Sequence, residues 1–454
     1  MSFRTLVDVP LDVLSQLYAF QNPREQGALR TTCRRMSSAF ESAVELGGIV
    51  RGAARDVSGK RWFPLMSSKS SIASNAVAPH TSTMVVSEMS RATAGGFRQH
   101  VHHAIVAPGP ETSISSRFMD SWTNCVMVDL SSIHHIHAIE DFCFRDCHLL
   151  QDVKLPPSAT AIGDDFMSKC SSCVSIDFSS LIHLTSLGDR CFNGCTALTH
   201  VQLPRSLVTI GKHFMLQCTS CRSLDFSALG NLTSIGNSFA ARCDSLQKVE
   251  LPQSLTSIGS FLLLENASIR SINLSSLHKL TVIGDYCFSG CQVLRDVRLP
   301  SCLTTLPNSF MVRCKRCTSI DLSSLTSLTS IGDDCFSECN ALETLKLPAR
   351  LTTIGQGFMK HSSGCTFINL SSLDALATIG AYAFAGCQRL QEVKLPSSVK
   401  AIGDFYMAEC RSCSRVDLSA LSSLTSLPRS CFKGCRALDA QDIKLPSGCN
   451  WIAG

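Results

Sequence analysis

Four cysteine pairs with two intervening residues stand out: Cys170/Cys173, Cys218/Cys221, Cys314/Cys317 and Cys410/Cys413. Tetrahedral zinc sites and dithiol redox centres use this spacing. Histidines also cluster, at His100, His102, His103, His134, His135 and His137. Register argues against both chemistries. Cys173 lies five residues before Phe178, where the alternate half of the pattern has Leu198 five before Leu203 and another unit has Ile269. A station that accepts Leu and Ile is apolar interior. Its partner station holds Trp122, Asn266 and Ser362 in other units, so no ligand type is required there. Cys147, Cys195, Cys291, Cys339 and Cys435 form a further column, read as a thiol stack in which free Cys acts as a small hydrophobe. The histidines lack paired carboxylate spacing and read as exposed polar positions. No P-loop, G-x-S-x-G elbow or dinucleotide fingerprint occurs, so no enzyme, cofactor or metal is expected.

The elements that carry these residues repeat every 48 positions. An apolar residue before a short Ser-rich turn recurs at Leu130, Phe178, Phe226, Leu274, Leu322, Leu370 and Leu418. A Leu-Pro pair recurs at Leu155, Leu203, Leu251, Leu299, Leu347 and Leu395, and again at Leu445 after two extra residues. Self-similarity of this kind means a stacked array in which each unit is covered only by its neighbours. Each unit splits into two halves, and each half reads as one coil. A short strand such as Val153/Leu155 or Ile176/Phe178 leads to an Ile-Gly bend, where Gly163, Gly211, Gly355 and Gly403 tolerate positive φ. About 14 coils at about 4.8 Å each give a body roughly 65–70 Å long.

Residues between the inward ones face the opposite, concave side of the strands. Lys154, Gln202, Glu250, Arg298, Lys346, Lys394 and Lys444 alternate there with Asp129, Asp177, Asp225, Asn273, Asp321, Asn369 and Asp417. The pattern reads as a self-satisfied charge ladder. Two residues upstream, the row Ser175, Ser223, Ser271, Ser319 breaks at Phe367 and Arg415. Aromatic and Arg side chains dominate interface energetics, so Lys346, Phe367, Lys394, Arg415 and Asp417 form the expected protein-binding site.

The array resembles leucine-rich repeats, specifically the surface-antigen (BspA-like) subtype with an F-x-x-C-x-x-L signature, as in Phe288 to Leu294. The resemblance covers about residues 103–452 and implies a curved solenoid that binds other macromolecules. Ahead of it, Leu11, Leu14, Leu17 and Tyr18 recur at helical spacing, and a second helical stripe follows Asn22-Pro23. This stretch resembles the F-box, on Pro10, Leu11, Leu14, Leu17, Phe20, Leu29, Cys33 and Met36. That resemblance implies docking to a Skp-type adaptor of a cullin ubiquitin ligase. The alternatives are a helical cap on a structural scaffold, or a cell-surface adhesin.

The expected fold is thus an α+β repeat solenoid: a curved leucine-rich-repeat array of short parallel strands with a small N-terminal helical segment. Its divisions are an F-box-like segment (1–46), a flexible basic, Ser-rich linker (47–83) and the solenoid (84–454). Net charge is +5 over 454 residues; residues 1–80 hold ten Lys/Arg against six Asp/Glu, leaving 31 against 30. The array is therefore neutral in total, which gives no reason to expect nucleic acid or an anionic membrane. The absence of a secretory leader in MSFRTLVDVPLDVL and 25 cysteines without an export signal lead to an expected cytoplasmic or nuclear location.

Overall fold

The computed structural model describes residues 83–86, 103–106 and 112–452. Two ladders of parallel strands run along it. The first carries one strand of two to four residues per coil, such as Met127–Asp129, Asp152–Lys154, Ser175–Asp177 and His200–Gln202, continuing to Ile443–Lys444. In Ser175–Asp177 the central Ile176 is buried while Ser175 and Asp177 are exposed. The pleat alternates the two faces, so one apolar residue per strand reaches the interior. Strands Thr83–Val86 and His103–Val106 pair in parallel ahead of Met127–Asp129. About 14 coils follow from there.

The second ladder lies where the sequence reads as a bend. Ser186–Leu187, Thr209–Ile210, Ser234–Ile235 and Ser257–Ile258 pair in parallel, within one sheet running from Ser113–Ile114 to Val282–Ile283. The glycine after each of these pairs is required by proximity and not by a left-handed backbone. A Cβ on Gly188 would lie 2.5 Å from the carbonyl carbon of Gly163, and one on Gly236 would lie 2.6 Å from that of Gly211. Glycine therefore stacks on the backbone of the preceding coil. Its N–H carries the ladder, as in Gly188 to Ile162 O at 2.8 Å and Gly284 to Ile258 O at 2.9 Å. Pro307 and Pro428 occupy this station in two coils. Proline has no N–H to donate. The ladder stops at both places, between Ile283 and Thr305 and between Ile402 and Ser426.

The third side of each coil alternates left-handed residues, for example Phe142, Phe144 and Asp146 at φ 61, 58 and 57°. Left-handed backbone costs an ordinary residue roughly 1–2 kcal/mol. Hydrogen bonds to neighbouring coils offset this. Phe142 donates to Asp164 O at 2.7 Å, Asp146 to Ser168 O at 2.8 Å, and Phe144 backwards to Phe118 O at 2.9 Å. Inside, buried rings step from coil to coil edge to face: Phe118, Phe144, Phe166, Phe192 and Phe214 have successive centroids 5.7, 5.7, 5.9 and 5.7 Å apart. This geometry suits the ring quadrupole.

The helical component of the expected α+β class is corrected for the described residues. They contain strands, turns and two short 3-10 segments, Arg429–Phe432 and Ala440–Asp442, with no α-helix. The F-box-like segment (1–46) and most of the linker lie outside the described residues.

Candidate functional site

Of the 24 described cysteines, 22 are buried and all are free thiols. The column predicted as a thiol stack has a sharper role than filling space. Each thiol donates to the carbonyl of a residue in the preceding coil: Cys147 to Met119 O at 3.0 Å, Cys195 to Met167 O at 3.0 Å, Cys291 to Leu263 O at 3.1 Å and Cys339 to Met311 O at 3.1 Å. Each acceptor is a left-handed residue, such as Met119 at φ 53° and Met167 at φ 51°. Cys170, Cys218, Cys314 and Cys410 sit at the same station in the intervening coils and donate in the same way. Two of the three departures from Cys keep the donor; the third, Trp122 in the first unit, fills the station with a buried ring. Asn266 Nδ2 donates to Ala240 O at 3.0 Å, and Ser362 Oγ donates to Phe336 O at 2.7 Å. Past the first unit the station holds a small side chain that can hydrogen-bond inside the core, and Cys does so with little polar surface left over. Sequence reasoning grouped Asn266 and Ser362 as evidence against ligands but missed their shared donor chemistry.

Burial fixes the state of these thiols. Desolvation pushes Cys143, Cys287 and Cys387 up to about 12, far from the thiolate that metal binding or redox exchange needs. Among the described residues no group of three or more His, Cys, Asp or Glu side chains converges in a way that could hold a metal.

The outward face of the first ladder carries the predicted binding residues. Phe367 is 43% exposed and Lys394 places Nζ 5.4 Å from its ring centroid, a cation–π contact across the pair Phe367–Asn369 and Glu392–Lys394. In the following coil Arg415 meets Asp417 at 3.6 Å. Lys346 turns the other way and pairs with Asp321 at 3.2 Å. The structure therefore joins four of the five residues as two adjacent pairs and assigns Lys346 to the preceding unit. The charge ladder closes across strands at Asp129–Lys154 and Asp321–Lys346. Elsewhere cations find acids on their own strand, as in Lys248–Glu250 and Arg298–Asp296, because Asp225 and Glu250 are like-charged register partners.

The carboxylates on this face are held rigidly. Ser227 donates both its N–H, at 3.0 Å, and its hydroxyl, at 2.6 Å, to Asp225 Oδ1. The motif repeats at Asp321 and Asp417. These Ser hydroxyls, with the backbone N–H second, hold Asp225, Asp321 and Asp417 below the usual carboxylate range.

Stacked coils, one apolar residue inward per strand and an uninterrupted common core define a parallel-strand solenoid of the leucine-rich-repeat class. The family model for the BspA type leucine rich repeat region matches residues 112–229, 180–279, 264–374 and 361–453. The chain belongs to that family. A search of curated proteins returned no match. Among solved structures, the chain is similar to a leucine-rich repeat protein from Bacteroides ovatus, at 21% identity over 75% of this chain and 87% of that one, with a TM-score of 0.53. It is also similar to a leucine rich cell surface protein from Faecalibacterium prausnitzii, at 18% identity over 78% and 88%, with a TM-score of 0.38. These likenesses are of fold.

Two expectations change. The cytoplasmic or nuclear location is corrected: the array belongs to the BspA type family, the surface-antigen kind of leucine-rich repeat, which points to an extracellular or surface setting. The unpaired cysteines did not bear on the question, because thiols sealed in a core stay unpaired in any compartment. The Skp-type adaptor and ligase reading gains no support from the comparisons, and its residues Pro10, Leu11, Leu14, Leu17, Phe20, Leu29, Cys33 and Met36 lie outside the described residues.

Proposed function

We propose that the chain is a non-enzymatic recognition solenoid of the adhesin-like kind, which holds a protein partner against the outward face of its first ladder. The observation that carries this reading is the exposure of Phe367 where the preceding units have Ser175, Ser223, Ser271 and Ser319. An exposed aromatic ring with a cation resting on it offers a rigid apolar anchor with a charged rim, the composition found where interface energy concentrates. Arg415 and Asp417 extend the patch by one coil. The fixed Asp-Ser turns around it reduce the ordering cost of binding.

The test is a partner captured by the full chain from a surface or matrix extract and then titrated against variants. Phe367→Ala and Arg415→Glu should each weaken the complex by at least tenfold, with unchanged thermal unfolding. Equal affinity for both variants and the wild type would remove the site from consideration.

A further inference from the structure

The turn that follows the thiol station forms a rim between the third side of the coils and the first ladder. Arg222, Arg270, Arg295, Lys315 and Arg316 all lie on it and all are exposed. Backbone bonds fix their order. Gln247 N–H donates to Arg222 O at 2.9 Å and Arg295 N–H donates to Arg270 O at 2.8 Å, so these residues stand on successive coils. Cys317 Sγ reaches Arg295 O at 3.7 Å, which places Lys315 and Arg316 on the next coil along. With coils about 4.8 Å apart, the five cations span about 19 Å along the solenoid, with Gln247 on the coil between Arg222 and Arg270.

Four cations near the rim are neutralised: Arg242 by Glu265 at 2.9 Å, Arg313 by Glu338 at 3.1 Å, Lys248 by Glu250 and Arg298 by Asp296. None of the five rim cations has a carboxylate ion-pair partner among the described residues. A groove of about 640 Å3 beside the rim is lined by Asp244, Gln292, Val293 and Lys315 together with Glu265 and Glu338, the two carboxylates that Arg242 and Arg313 engage. In an array whose total charge nearly balances, five unpaired cations on one rim, with Asp244 as the unpaired acid beside them, make a local excess of positive charge.

We propose that this rim binds a linear sulfated polysaccharide. Four of the five cations are Arg, whose planar fork engages oxyanions in pairs where an ammonium acts as a point charge. The row is one side chain wide, which suits an extended chain better than a flat lipid surface. Val293 is its apolar member and no aromatic ring interrupts it. Single-stranded nucleic acid uses such rings as stacking platforms. Anionic membrane binding would use buried apolar side chains in addition to charge.

The experiment uses the full chain and three probes at one salt concentration: a sulfated oligosaccharide, a single-stranded oligonucleotide and vesicles containing phosphatidylserine. The wild type should bind the sulfated probe best, with affinity falling as salt rises. The double variant R270E/R295E should bind it at least tenfold more weakly. R205E/K400E changes charge equally at exposed positions off the rim and should bind like the wild type. Circular dichroism on each variant checks the fold. Equal losses in the two double variants would show a response to net charge alone and overturn the assignment. So would unchanged binding in R270E/R295E, no binding of the sulfated probe by the wild type, or an oligonucleotide or vesicle held as tightly as the sulfated probe.

Discussion

Each coil presents its neighbours with one problem at the residue scale: how to satisfy backbone oxygens that left-handed residues turn inward. The thiol column answers it, and the answer explains why Cys, Asn and Ser share a station in the inner coils, with Trp122 the exception in the first unit. The same acceptor takes a second bond from backbone, as Met167 O does from Cys170 N–H at 3.2 Å. Loss of one thiol therefore removes about 1 kcal/mol of hydrogen bonding and adds a small cavity. Tyr406 shows the opposite situation. It occupies the Phe column, packs edge to face on Phe384 at 5.4 Å, and buries a hydroxyl that has no partner among the described residues. Tyr406→Phe deletes that hydroxyl and keeps the ring, so it should stabilise the array by about 1 kcal/mol in a denaturant titration. A loss of stability would mean that the hydroxyl has a partner.

The two ladders divide the work at the scale of elements. The first displays side chains, and the second sets the spacing between coils through glycine stacked on backbone. Gly236→Ala separates this account from a flexible bend. A bend would gain about 0.4–1 kcal/mol from the substitution, through the unfolded chain. Here the new Cβ meets the backbone of Gly211, and a loss of about 1–3 kcal/mol is expected by chemical denaturation. Much of this scale was legible in the sequence. The 48-residue period placed Leu, Ile and Phe inward, and the seven-residue signature from Phe288 identified the class. The second ladder was not legible, because two residues before a glycine are too short to show alternation. The ladder breaks at Pro307 and Pro428 were visible in principle, since both fall where the repeat has glycine. The cationic rim was hidden by its geometry: five residues spread over 95 positions become neighbours only once the coils stack. Within the binding site, sequence placed Phe367 outward, whereas the partnering of Lys346 with Asp321 needed side-chain positions.

Taken as a whole molecule, the chain spends its potentially reactive groups on cohesion and keeps its exterior for contact. Interior thiols, stacked rings and interlocked backbone fill the space between the described coils, and what the repeats offer to a partner is their outer surface. The stacked coils also make the state of the cysteines a property of the entire fold. Thiols whose native values are raised favour the folded state below their ordinary range, near pH 8.5, and that contribution is lost as pH rises through and beyond it. The most direct measurement is therefore a count of thiols reacting with an aromatic disulfide reagent at pH 8, before and after unfolding, with zinc analysed in the same sample. The account predicts that the 22 buried thiols stay silent in the native protein and all react once it unfolds, with no stoichiometric zinc. Rapid native reaction of the column from Cys147 to Cys435, or near-equimolar zinc released on unfolding, would contradict it.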